Sequence, residues 1–286
     1  MKIHKKLVIG TANFKKRYGL NPTSFFSKTK NFKRSIKYLS FKKLNTFDTA
    51  TIYDSEKMFK EFSKSKFNFI SKIQLKKKHK DFKILKKEIS STMQDLNKKK
   101  IYAILAHNPN FLLKKNGKRI FQNLKNLKKI NICHKVGYSI YSPSDLNKLY
   151  KKFKPEVVQL PLNVFDQRML DSGWIDFLKK KKVEIHARSI FLQGLLLRKK
   201  NTVPKKFLKS KNEFNNWFDW LKKNKISNLH ACLQFIYSIK KVSKIVIGYE
   251  NLAQLKEILK CKVKNDKKNF RSLKVSKIKL IDPRKW

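Results

Sequence analysis

Short apolar runs recur along the chain, and most of them lack any regular alternation with polar residues. They cover Lys6–Gly10, Leu44–Asp48, Asn68–Ile73, Tyr102–His107, Lys135–Ser139, Val157–Asn163, Val183–Ser189 and Lys244–Gly248. Runs of this kind are the mark of strands covered on both faces, as in a parallel sheet. Between them, apolar residues return at helical spacing over Lys80–Leu96, Ile120–Leu127, Ser144–Phe153, Ile226–Lys240 and Leu252–Lys260, and Pro143-Ser144-Asp145 is a good helix start. Strand alternating with helix implies parallel strands joined by helical crossovers. Eight such units close an α/β barrel of the (β/α)8, or TIM, type, and a single domain over residues 1–286 accommodates it. An open doubly wound sheet is the alternative, but it wants a glycine-rich turn after its first strand, and the chain has no GxGxxG.

The interval between the seventh and eighth runs breaks the rhythm. Gly194, Pro204 and many lysines precede Trp217 and Trp220. This reads as an extended loop over about 193–215, then a helix whose tryptophans anchor in the core. In a barrel such a loop lies on the functional face.

Composition changes the picture in one respect. The chain carries 71 Lys+Arg against 19 Asp+Glu, a net charge of +52. A basic surface attracts phosphates, yet the lysines run from Lys2 to Lys285, mostly between apolar segments, and form neither an arm nor a patch. The expectation is a solvated surface shaped by an AT-rich genome, with selected affinity for anions as the other reading and no specific nucleic-acid partner. Cys133, Cys232 and Cys261 are far apart and form no CxxC, so neither a disulfide framework nor a metal site is suggested. No apolar run approaches the ~18 residues of a membrane span, which points to a soluble, cytoplasmic protein. Glycine is scarce, and Gly10, Gly137, Gly194 and Gly248 fall in or just after predicted strands one, five, seven and eight, where they are expected to open the ligand-binding rim. Gly19, Gly117 and Gly173 read as turn residues.

Polar residues at the C-terminal ends of barrel strands are candidates for chemistry, because those ends form the active-site face. Strand two is expected to end at Asp48, with Tyr53 in the following loop; strand three carries Lys72 inside an apolar run; strand four ends in His107. A buried lysine needs an anionic partner, and Asp48 on the adjacent strand can supply one. A phenol is a poor proton donor near neutral pH, and a neighbouring ammonium stabilises its phenolate. A neutral imidazole can hydrogen-bond and polarise a carbonyl oxygen. Together these groups suit protonation of an oxygen as hydride reaches carbon, and since no side chain supplies hydride, a cofactor must.

The sequence here resembles the aldo-keto reductase family nearly end to end. Leu7-Val8-Ile9-Gly10-Thr11-Ala12-Asn13-Phe14, followed by Tyr18-Gly19, is similar to the family's first strand and loop, with little room before Leu7 for its N-terminal hairpin. Phe47-Asp48-Thr49-Ala50 through Tyr53-Asp54-Ser55-Glu56 resembles its DTA-x-x-Y-G-x-S-E signature, so that the family tetrad falls on Asp48, Tyr53, Lys72 and His107. Val136-Gly137-Tyr138-Ser139 and Val158-Gln159-Leu160-Pro161-Leu162-Asn163 resemble the segments that hold the nicotinamide carboxamide. Ala187-Arg188-Ser189 through Gly194-Leu195 resembles the stretch along the nicotinamide and pyrophosphate. Val246-Ile247-Gly248 with Asn251, Gln254 and Glu257 resembles the last cofactor segment. The chain departs from the pattern at Lys15 and Asp54, where glycine is common, at Ile140 for asparagine, at Arg188 for a stacking tyrosine, and at Gln254 for an arginine frequent in NADP-preferring members. Asp54 is expected to face solvent.

The resemblance implies reduction of an aldehyde or ketone by NADPH, with NADH as an alternative. The implied cofactor contacts are Gly10, Thr11, Ser139, Gln159, Arg188, Ser189, Gly194, Gly248, Asn251 and Gln254, while the C-terminal segment, about 265–286, shapes the pocket or clasps the cofactor. The implied partner is a small carbonyl compound, anionic or sugar-derived if the basic rim is used, and the expected assembly is a monomer or weak homo-oligomer. A cofactor-binding regulatory subunit with little turnover is the competing function.

Overall fold

Eight strands pair in chain order and close on themselves: β1 (Leu7–Gly10), β2 (Thr46–Ala50), β3 (Asn68–Ile73), β4 (Ile101–Ala106), β5 (Cys133–Ser139), β6 (Val157–Pro161), β7 (Glu184–Arg188) and β8 (Lys244–Ile247). All pairings are parallel, with β8 returning to β1 through Leu7↔Ile245 and Ile9↔Ile247. The computed structural model describes residues 3–15, 19–20, 29–62, 65–263 and 268–286; Tyr18 and the start of the C-terminal segment lie outside them. Helices cover the barrel: α1 (Thr29–Phe41), α2 (Phe82–Asp95), α3 (Gly117–Lys129), α4 (Pro143–Lys152), α5 (Arg168–Asp171), α6 (Trp174–Lys180), α7 (Lys211–Lys223), α8 (Asn228–Ser238), α9 (Leu252–Lys260) and α10 (Ile278–Ile281). No helix among the described residues is long and apolar enough to cross a membrane.

The barrel interior is layered. Val8, Ile70, Ala103, Leu105 and Val157 fill its middle. The period of two along a strand puts Lys72 on the same face as Ile70, and Gln159 on the same face as Val157, one step nearer the C-terminal rim. Asp48 pairs in register with Gly10 and Ile70. Strand two therefore does not stop at Asp48: pairing with β3 continues to Ala50↔Lys72, and the acid sits inside the strand, in a polar upper layer of the barrel.

At the opposite end, a second polar cluster closes the base. Tyr102 Oη donates to both carboxylate oxygens of Glu184, at 2.7 and 2.9 Å, His186 Nε2 lies 2.9 Å from Glu184, and Lys135 is ion-paired to the same carboxylate. The ammonium groups of Lys135 and Lys244 sit 5.6 and 5.4 Å from the Tyr102 ring centroid.

Outside the barrel, phenylalanines build the packing beneath the Tyr53 loop. Phe47 meets Phe59 at 4.8 Å and Phe67 at 4.9 Å, and Phe59 meets Phe69 at 5.0 Å, all edge-to-face, a geometry worth about 0.5–1.5 kcal/mol per pair beyond burial. Phe59 lies in the 3-10 segment Glu56–Phe62 that follows Tyr53, so this cluster fixes the loop to the barrel wall.

The expected loop after β7 is built of 3-10 turns at Leu192–Leu197, Lys200–Thr202 and Lys205–Ser210, and α7 begins at Lys211, earlier than expected. Trp217 is fully buried and stacks on Trp220, which packs against Phe270. Gly137 does not open the rim. A Cβ there would lie 1.8 Å from the Val157 carbonyl oxygen, so the glycine permits close approach of β5 and β6.

Candidate active site

Asp48, Tyr53, Lys72 and His107 meet at the C-terminal end of the barrel. Lys72 is almost wholly buried and forms an ion pair with Asp48 Oδ1, while Asp48 Oδ2 accepts from Gln159 Nε2 at 2.7 Å. The Lys72 ammonium lies 5.1 Å from the Tyr53 ring centroid, and the imidazole of His107 stands perpendicular to that ring at 5.9 Å. Tyr53 is half-buried on a turn whose N–H bonds to Ala50 O at 2.8 Å. His107 follows β4, and its backbone N–H is tied to Ile73 O at 2.9 Å.

Burial dominates the electrostatics. It lowers the Lys72 pKa even though Asp48 works to raise it. It also lowers that of His107, with help from the Lys72 charge, to about 4. His107 is therefore a neutral imidazole near pH 7, and its buried Nδ1 has no hydrogen-bond partner among the described residues. Behind Lys72, Glu56 is buried and accepts from Thr49 Oγ1 at 3.0 Å; burial raises its pKa.

A cleft runs from this cluster toward β8. Of the predicted cofactor residues, Gly10, Gln159, Arg188, Ser189, Gly194, Gly248 and Gln254 line it, as do Asp48 and Tyr53. Gly194 has φ +87°, in a left-handed turn shared with Leu192 and Gln193, and a Cβ at Gly194 or Gly248 would meet nothing within 4 Å. The other three predicted contacts are not among its lining residues. Thr11 is buried with its hydroxyl 2.8 Å from Ser55 Oγ; Ser139 Oγ donates to Gln159 Oε1 at 3.2 Å; Asn251 caps α9 by accepting from Gln254 N at 2.8 Å. The described C-terminal segment lines no part of the cleft. It straps the outer loops instead, with Val275 N bonded to Phe165 O and Trp286 packed on Phe207 at 4.9 Å.

Asp54 faces solvent as expected. Its carboxylate pairs with Lys15 at 2.5 Å and its backbone adopts φ +57°, a left-handed conformation aspartate tolerates better than most residues. The two positions read from the sequence as departures from glycine thus contact each other.

The sequence reading passed over Glu56, Glu250 and Tyr141. Glu56 was readable as a rare acid beside the tetrad motif. Glu250, at the far end of the cleft beside Gln254, follows β8 and was readable on the same ground. Tyr141 gave no local signal, because its partners Arg188 and Arg284 are distant in sequence.

The cleft has both polar and apolar walls. Its Tyr53 end is polar, with Asp48 and Gln159, and its walls include Ile190, Phe191, Leu197 and Val246, with glycine backbone at Gly10, Gly194 and Gly248.

A model of the Aldo/keto reductase family matches residues 6–276. Among solved structures, the chain is similar to the glycerol dehydrogenase of Gluconobacter oxydans, at 16% identity and a TM-score of 0.69, with 97% of this chain and 92% of that one covered. It is similar as well to an aldo-keto reductase of Bacillus halodurans in its holo form, at 13% identity and a TM-score of 0.69, covering 90% of this chain and 86% of that one. At these identities the structural likeness speaks to fold. A search of curated proteins finds no match.

Proposed function

Because the chain belongs to the aldo/keto reductase family, we propose that it reduces an aldehyde or ketone with NADPH or NADH, with Tyr53 as proton donor. The observation that carries this reading is the buried Asp48–Lys72 pair, which holds Lys72 against the Tyr53 ring beside a cleft lined by seven of the expected cofactor contacts. When bound, the nicotinamide supplies hydride. The chain's own residues do the rest. Tyr53 gives its proton to the carbonyl oxygen; Lys72 stabilises the phenolate left behind; Asp48 pairs with Lys72 and opposes the effect of burial on its charge; His107, neutral, donates a hydrogen bond to the same oxygen.

Ser139 and Gln159 hold the carboxamide. Gln159 also donates to Asp48, so one side chain joins the cofactor pocket to the proton-donating group. Gly10, Thr11, Arg188, Ser189, Gly194, Gly248, Asn251 and Gln254 complete the cofactor contacts, and carbonyl compounds bearing an acid or sugar are the substrates to try first.

Titration with NADPH and NADH, followed by fluorescence, is expected to show saturable binding, and a panel of aldehydes and ketones should then reveal cofactor oxidation. Saturable binding without turnover of any carbonyl would favour the regulatory alternative instead.

The state of His107 gives a second test. An imidazole whose pKa is pulled down to about 4 stays neutral above that value and charges only below it. Carbonyl reduction should therefore show no acid-side break near the ordinary histidine value of about 6.5. A break there that disappears in His107→Gln would contradict the neutral role.

A further inference from the structure

We propose that Arg188 makes the site discriminate between the redox states of the nicotinamide, holding the neutral reduced ring and disfavouring the cationic oxidised one. The inference rests on the functional reading above and concerns a residue that replaces the family's stacking aromatic.

Lysine is the default cation in this chain. Only eight of its 71 basic residues are arginine, yet three of those eight gather around Tyr141. The guanidinium carbons of Arg188 and Arg284 lie 4.3 and 3.8 Å from the Tyr141 ring centroid, and Arg168 Nη2 donates to the Tyr141 carbonyl at 3.1 Å. A flat, forked cation that stacks on a ring while donating along its edge is a task lysine cannot perform.

The three differ in how their charge is met. Arg168 is bound by Asp166 through two nitrogens, at 2.7 Å each, and Arg284 by Asp282, at 2.5–3.2 Å. Arg188 is held by neutral groups. Its Nε donates to Ser139 Oγ at 3.3 Å, Nη1 to Ser189 Oγ at 3.2 Å and Nη2 to Ile140 O at 2.9 Å. Among the described residues it makes no ion pair with a carboxylate. Its charge is felt at the proton-donating group, where it helps to lower the pKa of both Lys72 and His107.

Arg188 borders the cleft together with Tyr53, Gln159 and Asp48, whereas Tyr141 does not. The guanidinium thus lies between the Tyr141 ring and the cleft, with much of its edge already committed to hydrogen bonds. That arrangement presents a charged flat group to a flat ligand. Arg188 and Tyr53 line the same cleft, so a ring placed to deliver hydride to a carbonyl at Tyr53 would face this charge. The dihydronicotinamide ring is neutral. Once its hydride has passed to the carbonyl carbon, and the Tyr53 proton to the carbonyl oxygen, the ring is a pyridinium. Two cations in close contact, away from bulk water, repel strongly. The oxidised cofactor is held loosely, leaves readily, and the site favours reduction over alcohol oxidation.

The test measures dissociation constants of NADPH and NADP+, and of NADH and NAD+, by calorimetry near pH 7, for the wild type, Arg188→Gln and Arg188→Tyr. The wild type should bind the reduced form at least about tenfold more tightly than the oxidised form. In either neutral variant that ratio should fall to within about threefold of unity, chiefly through tighter binding of the oxidised form. Two neutral variants are used so that misfolding of one, seen by circular dichroism, leaves the other to decide. A wild-type ratio near unity, or an unchanged ratio in a folded neutral variant, overturns the proposal while leaving the reductase reading intact. Failure of the wild type to bind either form removes both.

Discussion

Tyr53→Phe is expected to lower carbonyl reduction by roughly a thousandfold, in the range general acid catalysis supplies. Cofactor affinity should stay within about threefold of wild type, because the change removes a group that acts in the chemical step. The substitution is a clean one structurally. The ring keeps its place beside the Lys72 ammonium and perpendicular to His107, and the turn that carries it is set by a backbone bond from its N–H to Ala50 O. Stopped-flow reduction of a substrate from the aldehyde and ketone panel, with calorimetric cofactor binding on the same preparation, reads both quantities. Turnover at the wild-type rate would remove Tyr53 from the proposed chemistry, and loss of cofactor binding would make its role structural. Lys72→Met is a poorer probe. It leaves Asp48 buried with Gln159 alone, and breaking a buried pair costs about 3–5 kcal/mol, so lost activity could not be separated from lost structure.

Glu184→Ala should cost about 3–5 kcal/mol of stability, by the same rule for breaking buried charged networks. The Tyr102 hydroxyl, the fully buried His186 and the Lys135 ammonium would all lose their common acceptor. At roughly 2–4 °C per kcal/mol, the melting temperature should drop by about 10 °C. Glu184→Gln, which keeps an acceptor but not the charge, should lose less. The pH dependence has a definite sign. Burial opposes ionisation of Glu184, but the hydrogen bonds with His186, Lys135 and Tyr102 and the Coulombic attraction of His186 prevail, and its carboxyl is held well below the usual carboxylate range. A depressed folded-state pKa contributes stability that is full above the unfolded value of 4.5 and is lost as pH falls below it. The difference in unfolding free energy between wild type and Glu184→Ala should therefore be constant from neutral pH to about 5 and shrink at lower pH. Taking the difference cancels the acid destabilisation that a chain of this net charge suffers in both forms. An equal difference at pH 3 and pH 7 would show that packing, and not the charge of Glu184, carries the effect.

The barrel was legible because parallel strands buried on both faces leave apolar runs that stand out in a lysine-rich chain. Asp48 shows why strand ends were less so. An acid after an apolar run reads as the end of the run, but the top layer inside this barrel is polar, and the strand passes through it to Ala50. The residues proposed for the chemistry were legible one by one only through their neighbouring motifs; their meeting depends on register, with Ala50 opposite Lys72 and Lys72 opposite Leu105. The base cluster was not legible. Tyr102, Lys135, Glu184 and Lys244 stand near the starts of their strands, where polar residues look like solvated boundaries. The Arg188–Tyr141–Arg284 stack joins β7, the β5 loop and the C-terminal segment, and no local pattern marks a contact of that kind. The helix Thr29–Phe41 was missed although its apolar stripe is as marked as that of α4, which was read.

The Lys15–Asp54 contact bears on how relatives of this protein are found. Both side chains are about half exposed, and a surface pair of this kind is worth at most about 1 kcal/mol. Either partner can then change first without serious loss, and the two positions are free to drift together through descent. The glycine after the tyrosine is accordingly a weak marker of ancestry. A search pattern that demands glycine there would not match this chain, whereas one that also allows aspartate would.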